Sequence, residues 1–392
     1  MKILFTVDSY YPRTSGVPVV VGYLAEGLAK KGHEVHVATR FVEGSPEIEF
    51  HNGVKIHRFC IIYNRLKKCV GKTQEYIDFV LTGKFDVIIF ECVECVTTDI
   101  LLPHLKELKC KKILHSHGFS GLSLIPWTWR FNLYKTIGNT VNYYIWHHYY
   151  FKGLYKKYGA DFDNTLTLSE VDKDYSFLQE EMNIKPIVLS NAAEDMFFDE
   201  VLKSENSLKK YVVLKNENYL ISVANYTEIK NQIGILKEFY KNPETKNFSM
   251  VFIGSCETPY YNKLLKTHSE LEKNKDHRDV HFLKGVSRND IPQILAHAKL
   301  YLCGSHWEAF SISLIEAMAL AVPFISTDVG NARVLPGGRT IASINDMYLM
   351  IGNLLTHEEE RKALAMKGKG YAFEYCRRSM AINHLEMILG GN

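Results

Sequence analysis

Two glutamates separated by seven residues frame the most informative stretch of the sequence. Glu308 precedes a short run of small and apolar residues, and Glu316 lies inside the helix that follows. The first backbone N–H groups of a helix have no partner within it, and the helix dipole adds positive potential there. With Phe310, Ser311 and Ile312 at the turn, the pattern predicts an anion site that suits a diphosphate. Acids at helix starts are common, so the same pattern alone also fits a solvated surface helix.

The elements that must position these residues are strands and helices in alternation. Short apolar runs alternate with amphipathic stretches in both halves of the chain, which is typical of βα units on a parallel sheet. We predict an α/β fold of two Rossmann-like, doubly wound lobes with a cleft between them, because ligands bind at the carboxyl ends of such strands. The predicted strands are 2–7, 34–39, 54–59, 85–90 and 112–115 in the first half, and 219–224, 249–253, 280–283, 300–303 and 323–326 in the second.

The length of the chain agrees with two domains. At 392 residues it exceeds the size at which a single hydrophobic core keeps growing. The segment from 191 to about 218 is polar, charged and weakly periodic, so we place the hinge near its start. The predicted domains are 1–190 and 191–376, and a final helix, about 377–392, can pack back on the first of them.

Motifs along nearly the whole chain resemble glycosyltransferase family 4, whose members are retaining enzymes of GT-B fold. The stretch from Glu308 to Glu316, with 322–330 after it, resembles the E-x7-E signature of the family. Residues 114–118 are similar to its cleft histidine segment, and 230–232 to the lysine after the first strand of its second lobe. The resemblance implies transfer of a hexose or N-acetylhexosamine from a nucleotide diphosphate sugar to a glycan or lipid-linked acceptor. The pathway implied is cell-envelope polysaccharide or glycolipid synthesis.

The resemblance also implies a role for each matching residue. The first domain would bind the acceptor and the second the nucleotide sugar. His117, Glu308 and Lys230 would be catalytic: His117 near the C6 hydroxyl of the sugar and the acceptor, Glu308 at the C3 and C4 hydroxyls, and Lys230 at the donor phosphates. Glu316 would bind the ribose hydroxyls, and Gly16 would let the first loop approach the diphosphate. The remaining predicted nucleotide-sugar contacts are Asn225, Phe310, Ser311 and Ile312.

Several positions depart from the family pattern. Asn225 stands where the family usually has an arginine, five residues before Lys230. Asparagine donates hydrogen bonds but carries no charge, so Arg333 is a candidate substitute cation. Ala309 and Ser311 replace the usual glycines between the two glutamates. These changes leave open a sugar-nucleotide-binding homologue of weak activity, and an epimerase or phosphorylase on the same fold is a further alternative.

We predict that catalysis requires no metal and no cofactor, with a UDP- or GDP-sugar as donor. A preorganised cation and helix N–H groups can stabilise the departing diphosphate without a metal. The sequence contains two Asp-x-Asp matches, 161–163 and 172–174, but neither follows an apolar strand of the right kind, so we expect both at the surface.

The segment 122–158 combines aromatic and basic residues, including Trp127, Trp129 and Trp146. Tryptophan, tyrosine and lysine favour the bilayer interface, so we predict peripheral contact with an anionic membrane. Alternatively, these aromatic residues fill the core or line an acceptor groove. A net charge of +3 over the whole chain does not indicate nucleic-acid binding. The chain shows no secretory signal and no run of 18 apolar residues, which predicts a cytoplasmic protein. Together with the segment 122–158, this predicts association with the cytoplasmic face of a membrane.

Overall fold

The computed structural model describes residues 1–12, 16–64, 68–119, 122, 140, 143–144, 147–199, 211, 214, 218–273 and 277–390. These residues form two compact units. Unit 1 contains the described residues up to Asn191 together with those from Arg378 onward, and unit 2 contains Ala192 to Arg377. No helix among the described residues is long and apolar enough to cross a bilayer.

Unit 1 is built on an eight-stranded sheet in the order β10-β9-β8-β7-β1-β2-β4-β3. Its strands are parallel except for β3, which pairs antiparallel with β4 at one edge. A separate antiparallel hairpin joins β5 to β6. The strands are β1 (Lys2–Val7), β2 (Glu34–Arg40), β3 (Ile48–His51), β4 (Val54–Phe59), β5 (Ile61–Tyr63), β6 (Cys69–Gly71), β7 (Val87–Glu91), β8 (Lys111–His115), β9 (Asn164–Thr167) and β10 (Ile187–Val188).

Helices cover this sheet, and the first of them begins where the chain leaves β1. Gly16 precedes that helix with φ 69°, and Gly32 closes the turn after it with φ 89°. Both angles lie in the region that glycine adopts at no steric cost. The helices are α1 (Val17–Lys30), α2 (Thr73–Thr82), α3 (Val96–Asp99) and α4 (Lys173–Met182), with a π-helical stretch at His147–Tyr155.

Unit 2 contains a six-stranded parallel sheet in the order β13-β12-β11-β14-β15-β16. Tyr219 and Ile221 of β11 face one hydrophobic core, and Leu220 faces another, so the sheet is buried on both sides. This explains the continuous apolar runs of its strands. The strands are β11 (Tyr219–Val223), β12 (Ser249–Gly254), β13 (Val280–Lys284), β14 (Leu300–Cys303), β15 (Phe324–Thr327) and β16 (Gly338–Ile341).

The helices of unit 2 alternate with these strands, and one more helix returns to unit 1. They are α5 (Gln232–Lys241), α6 (Pro259–Glu272), α7 (Ile291–Ala296), α8 (Ile312–Ala319), α9 (Met347–Thr356), α10 (Glu358–Tyr375) and α11 (Arg378–Gly390). In unit 1, α11 packs against α1 so closely that a Cβ on Gly27 would lie 2.3 Å from Cδ1 of Ile382. Lys31 Nζ also donates to Glu386 at 2.6 Å.

Candidate active site

A cavity of about 270 Å³ lies in unit 2 at the carboxyl ends of β11 and β14. The strand order reverses between these two strands, since β12 and β13 continue to one side and β15 and β16 to the other. Ligands of doubly wound sheets bind at such a reversal. The cavity is lined by Ser222, Val223, Ala224, Asn225, Lys230, Tyr301, Cys303, Gly304, Ser305, Glu308, Phe310, Ser311, Ile312 and Ser313.

Lys230 reaches the cavity from a short 3₁₀ turn, Glu228–Lys230, that follows β11. The next residue, Asn231, adopts the left-handed conformation with φ 51°, and its side chain accepts from the N–H of Gly234. This stops the 3₁₀ turn and starts α5. The buried Gln232 side chain donates to the carbonyl of Asn225 at 3.0 Å. This hydrogen bond fixes the loop that contains Asn225, which also lines the cavity.

Glu308 accepts two hydrogen bonds on one carboxylate oxygen. Lys230 Nζ lies 2.5 Å from Oε1, and Ser305 Oγ donates to the same atom at 2.7 Å. The Lys230 turn is itself tied to this loop, because the N–H of His306 donates to the carbonyl of Ile229 at 2.8 Å. A charged pair held from both loops is therefore the main polar feature of the cavity.

The start of α8 supplies the amide groups of the predicted anion site. Because α8 begins at Ile312, its first N–H groups have no carbonyl partner within the helix. The N–H of Ser311 is not among the free ones, since it donates to Asn331 Oδ1 at 2.8 Å. The predicted row of amides therefore begins one residue later than the sequence pattern indicated. Asn331, which is buried, fixes the turn that precedes the helix.

Glu316 lies on the same helix but is not among the residues that line the cavity. It is 3% exposed, so the alternative of a solvated surface glutamate is wrong. Both of its carboxylate oxygens accept from the guanidinium of Arg288. Arg288 Nε also donates to Glu194 at 2.8 Å. Burial lowers the pKa of Arg288, but the two carboxylates outweigh it and raise that pKa above its ordinary value, so the arginine stays charged.

His117 belongs to unit 1, where it follows β8 and contacts Glu91 at the end of β7. Its Nε2 lies 2.6 Å from Glu91 Oε2, and His115 Nδ1 lies 3.0 Å from the same oxygen. Burial alone would raise the pKa of Glu91, but the two histidines hold it at about 2. Burial lowers the pKa of His117, and the neighbouring His115 lowers it further. His115, which we expected simply to pack, is thus part of a polar cluster.

One further expectation in unit 1 is wrong, and another stays a prediction. Asp174 is buried and accepts from Ser116 Oγ, so the second Asp-x-Asp match is not a surface feature. Within 122–158, Tyr150, Phe151 and Tyr155 are fully buried, as the core alternative predicted for these aromatic residues. Trp127, Trp129 and Trp146 lie outside the described residues, and membrane contact remains a prediction.

Comparisons with known proteins identify the family of this chain. The family profile described as Glycosyltransferase Family 4 matches residues 14–174, and the profile described as Glycosyl transferases group 1 matches residues 203–336. The chain belongs to glycosyltransferase family 4. Its fold is of the GT-B class.

Three proteins similar to this family 4 chain are distant in sequence but match nearly all of it. N-acetyl-alpha-D-glucosaminyl L-malate synthase of Bacillus anthracis is 22% identical and is matched over 96% of this chain and 94% of its own. Among solved structures, the lipopolysaccharide glycosyltransferase WaaG is similar with TM-score 0.70, 18% identity and coverage of 100% of both chains. Anabaena Alr3699/HepE in complex with UDP gives TM-score 0.70, 16% identity and coverage of 100% of both chains.

The structure brings some of the family positions together and leaves others apart. Lys230, Glu308, Asn225 and the Phe310–Ile312 turn share one cavity, whereas His117 and Gly16 belong to unit 1. Arg333 does not line the cavity; it pairs with Asp328 on an exposed surface, so it does not replace the missing arginine.

Sequence reasoning missed four residues that hold the site together: Arg288, Ser305, Asn331 and Glu91. Ser305 and Asn331 lie close in sequence to the recognised motif, and a buried polar residue beside a helix start could have indicated them. Arg288 and Glu91 are 28 and 26 residues from their partners Glu316 and His117. No local pattern reports such pairings.

Proposed function

We propose that this chain is a retaining glycosyltransferase that moves a hexose or N-acetylhexosamine from a UDP- or GDP-sugar to a glycan or lipid-linked acceptor. Cell-envelope polysaccharide or glycolipid synthesis is the process it would serve, on the cytoplasmic face of a membrane. The observation that carries the proposal is the cavity at the sheet reversal, which is lined by Lys230, by its partner Glu308 and by the residues at the start of α8.

The chemistry of this cavity suits a diphosphate leaving group. Transfer breaks the bond between the anomeric carbon and the diphosphate oxygen, and it forms a bond from the acceptor oxygen to the same face of the sugar. The leaving diphosphate gains negative charge, which Lys230 and the N–H groups of α8 stabilise without reorganising. The proton of the acceptor hydroxyl passes to the leaving phosphate oxygen. A metal ion is not needed for this charge balance.

The two glutamates divide the recognition of the donor between them. Glu308, at the cavity wall, accepts from the C3 and C4 hydroxyls of the sugar. Glu316, held by Arg288, accepts from the ribose hydroxyls, which is the role that the family resemblance implies for it. A cavity of about 270 Å³ is small for a ligand site. It fits the diphosphate and part of the sugar, with ribose lying nearer Glu316.

The name of one similar protein and the ligands bound in another support this donor class. The Bacillus anthracis relative is named for an N-acetylglucosaminyl product, and the Anabaena protein was solved with UDP and with UDP-glucose. For His117 and Gly16, the family positions of unit 1, we propose the contacts that the resemblance implies: His117 with the sugar and the acceptor, and Gly16 with the diphosphate.

Nucleotide binding to the full chain tests the proposal. We expect UDP or GDP to bind in isothermal titration calorimetry, and the Glu316→Gln variant to bind it at least 10-fold more weakly because a charged hydrogen-bond acceptor is lost. Glu238→Gln is the matched control, since Glu238 is also a buried helical glutamate paired with a cation, Lys241 at 2.5 Å, but it lies on α5 and not on the helix whose first residues line the cavity. Equal affinity in wild type and Glu316→Gln would remove the ribose role.

Product analysis separates the proposed reaction from its alternatives. With a donor that binds and a lipid-linked acceptor, we expect a glycoside that keeps the anomeric configuration of the donor, as read by NMR coupling constants. Isomerised donor or sugar phosphate without an acceptor product would indicate an epimerase or phosphorylase. Tight binding with no turnover of any donor would indicate the weakly active homologue that Asn225 makes conceivable.

A further inference from the structure

Three side chains of metal-binding types converge at the carboxyl edge of the unit 1 sheet. Glu91 ends β7, His115 ends β8, and the two residues are directly paired in the parallel register. His117 follows two positions after His115, so both side chains project to the same face. The ring centroids of the two histidines lie 4.2 Å apart. Adjacent strands therefore place two imidazoles and one carboxylate side by side.

The three groups are buried and close enough to bind one ion. Glu91 is 0% exposed, His115 1% and His117 9%. Glu91 Oε2 lies 3.0 Å from His115 Nδ1 and 2.6 Å from His117 Nε2. One ligand atom from each residue lies within 4.8 Å of the other two. Across the described parts of the chain, this is the one group of three histidine, cysteine or acidic residues arranged in this way.

Hydrogen bonds among the described residues do not satisfy this cluster. Neither ring nitrogen of His115 has a hydrogen-bond partner there, and Oε1 of Glu91 has none. The 3.0 Å approach of His115 Nδ1 to Glu91 is thus a close contact without hydrogen-bond geometry. Buried polar groups are normally paired, and an unpaired one destabilises the fold. A cation bound between the side chains would give these lone pairs a partner.

We propose that Glu91, His115 and His117 bind a divalent transition metal ion, with Zn²⁺ the best match to two imidazole nitrogens and one carboxylate oxygen. Ligand atoms around a tetrahedral zinc ion lie about 3.3 Å apart, so binding replaces the hydrogen bond between His117 and Glu91 by two metal bonds. The three protein ligands leave one tetrahedral position without a protein group. This ion takes no part in the diphosphate contacts proposed for unit 2, and the inference does not depend on the proposed function. The ion would occupy Nε2 of His117, so the sugar contact proposed for that residue would be made by Nδ1.

A second set of the same composition in unit 1 provides a control. His36 contacts Glu34 through Nε2 at 2.9 Å and His57 through Nδ1 at 2.9 Å. The two nitrogens of one imidazole point in opposite directions, so Glu34 and His57 cannot converge with His36 on a single ion. His36 and His115 are both buried, which makes His36→Gln a matched control for His115→Gln.

Metal titration of the full chain, stripped with a chelator, tests the site. We expect one Zn²⁺ to bind per chain by equilibrium dialysis, and Co²⁺ to give the intense visible absorption of a four-coordinate ion. Glu91→Gln and His115→Gln should each weaken Zn²⁺ binding by at least 10-fold. His36→Gln should bind as the wild type does, and circular dichroism confirms that each variant is folded.

Three outcomes would overturn the inference. They are no Zn²⁺ binding by the wild-type chain, unchanged binding in both ligand variants, and an equal loss in His36→Gln. Exposed thiols such as Cys60 and Cys256 remain in every variant. If these thiols bound the Zn²⁺, its affinity would be unchanged in both ligand variants. If a ligand variant does not fold, the Co²⁺ spectrum of the wild-type chain decides. Visible absorption without the ultraviolet charge-transfer band of a cobalt–thiolate bond supports the triad, and no absorption, or absorption with that band, contradicts it.

Discussion

Lys230 and Glu308 form an ion pair in the cavity of unit 2, with Nζ 2.5 Å from Oε1. The cation that is proposed to stabilise the donor phosphates is thus held by the carboxylate that is proposed to bind the sugar. A diphosphate must share Lys230 with Glu308, and the hydroxyls of the sugar then supply the hydrogen bonds that Glu308 loses. The pair keeps the lysine in place before the donor arrives.

Removing the charge of Glu308 should separate binding from transfer. In Glu308→Gln, Lys230 no longer shares its charge, so we expect UDP to bind several-fold more tightly while sugar transfer falls by about 100-fold or more. Calorimetry with UDP and initial rates with a donor sugar measure the two effects. Glu228→Gln is the control, because Glu228 lies on the same 3₁₀ turn as Lys230 but pairs with Lys263. Weaker UDP binding in Glu308→Gln would contradict the competition between donor and carboxylate.

Restoring the usual arginine at position 225 should strengthen diphosphate binding. Asn225 lines the cavity beside Lys230, so a guanidinium there can donate charged hydrogen bonds to phosphate. We expect Asn225→Arg to lower the dissociation constant for UDP by about 10-fold, with a steeper dependence on salt. Asn225→Gln, which adds length without charge, should show no such gain. An Asn225→Arg variant that binds UDP no better would show that the loop does not face the phosphates.

Gly330 should tolerate no side chain, because of both its backbone and its neighbours. Its φ is 51°, and a Cβ there would lie 3.1 Å from the carbonyl oxygen of Ala309 and 3.3 Å from Cβ of Glu308. We expect Gly330→Ala to lower the free energy of unfolding by about 1–2 kcal/mol, the cost of the left-handed conformation. Urea denaturation measures this change. Gly370→Ala, in a helix with open space around the Cβ, should be neutral or stabilising.

The buried pair of His36 and His57 should make stability depend on pH. Burial lowers the pKa of His57 to about 4, and the charges of His36, Lys55 and Lys2 act in the same direction. Between about pH 4 and 6.5 the unfolded chain therefore binds a proton that the folded chain does not, so stability falls as the pH drops. The loss approaches about 3 kcal/mol for a shift of this size. His57→Gln should flatten the urea-denaturation profile over this interval, and an unchanged slope would contradict the assignment.

Patterns within single segments predicted much of the fold and part of the site. The strands Lys2–Val7, Val54–Phe59 and Leu300–Cys303 have the bounds that the apolar runs indicated. The same reasoning predicts the helix that carries Glu316 at 313–320, and the observed helix, Ile312–Ala319, agrees within one residue at each end. These elements are buried on a regular period, so composition and spacing report them directly.

Sequence patterns did not reveal the remaining elements and contacts, for physical reasons that differ between them. Strand β3 (Ile48–His51) is an edge strand that exposes Ile48 and Phe50, so its apolar residues do not mark a buried face. Its turn into β4, Asn52-Gly53, has positive φ at both residues and could have indicated a hairpin. No local sequence pattern indicates the contact between Arg288 and Glu316, because it depends on how the 3₁₀ turn of Arg288 packs against helix α8.

The return of α11 to unit 1 has a consequence for synthesis of the chain. Residues 192–377 are inserted between two pieces of unit 1, and Leu385 and Leu389 of α11 are buried within it. Domains fold as units while the ribosome extends the chain, usually in order from the amino terminus. Here the earlier unit must wait, with the surface around Gly27 uncovered, until residues 378–390 emerge. Unit 2 has all of its residues sooner, so the part synthesised later can finish folding first.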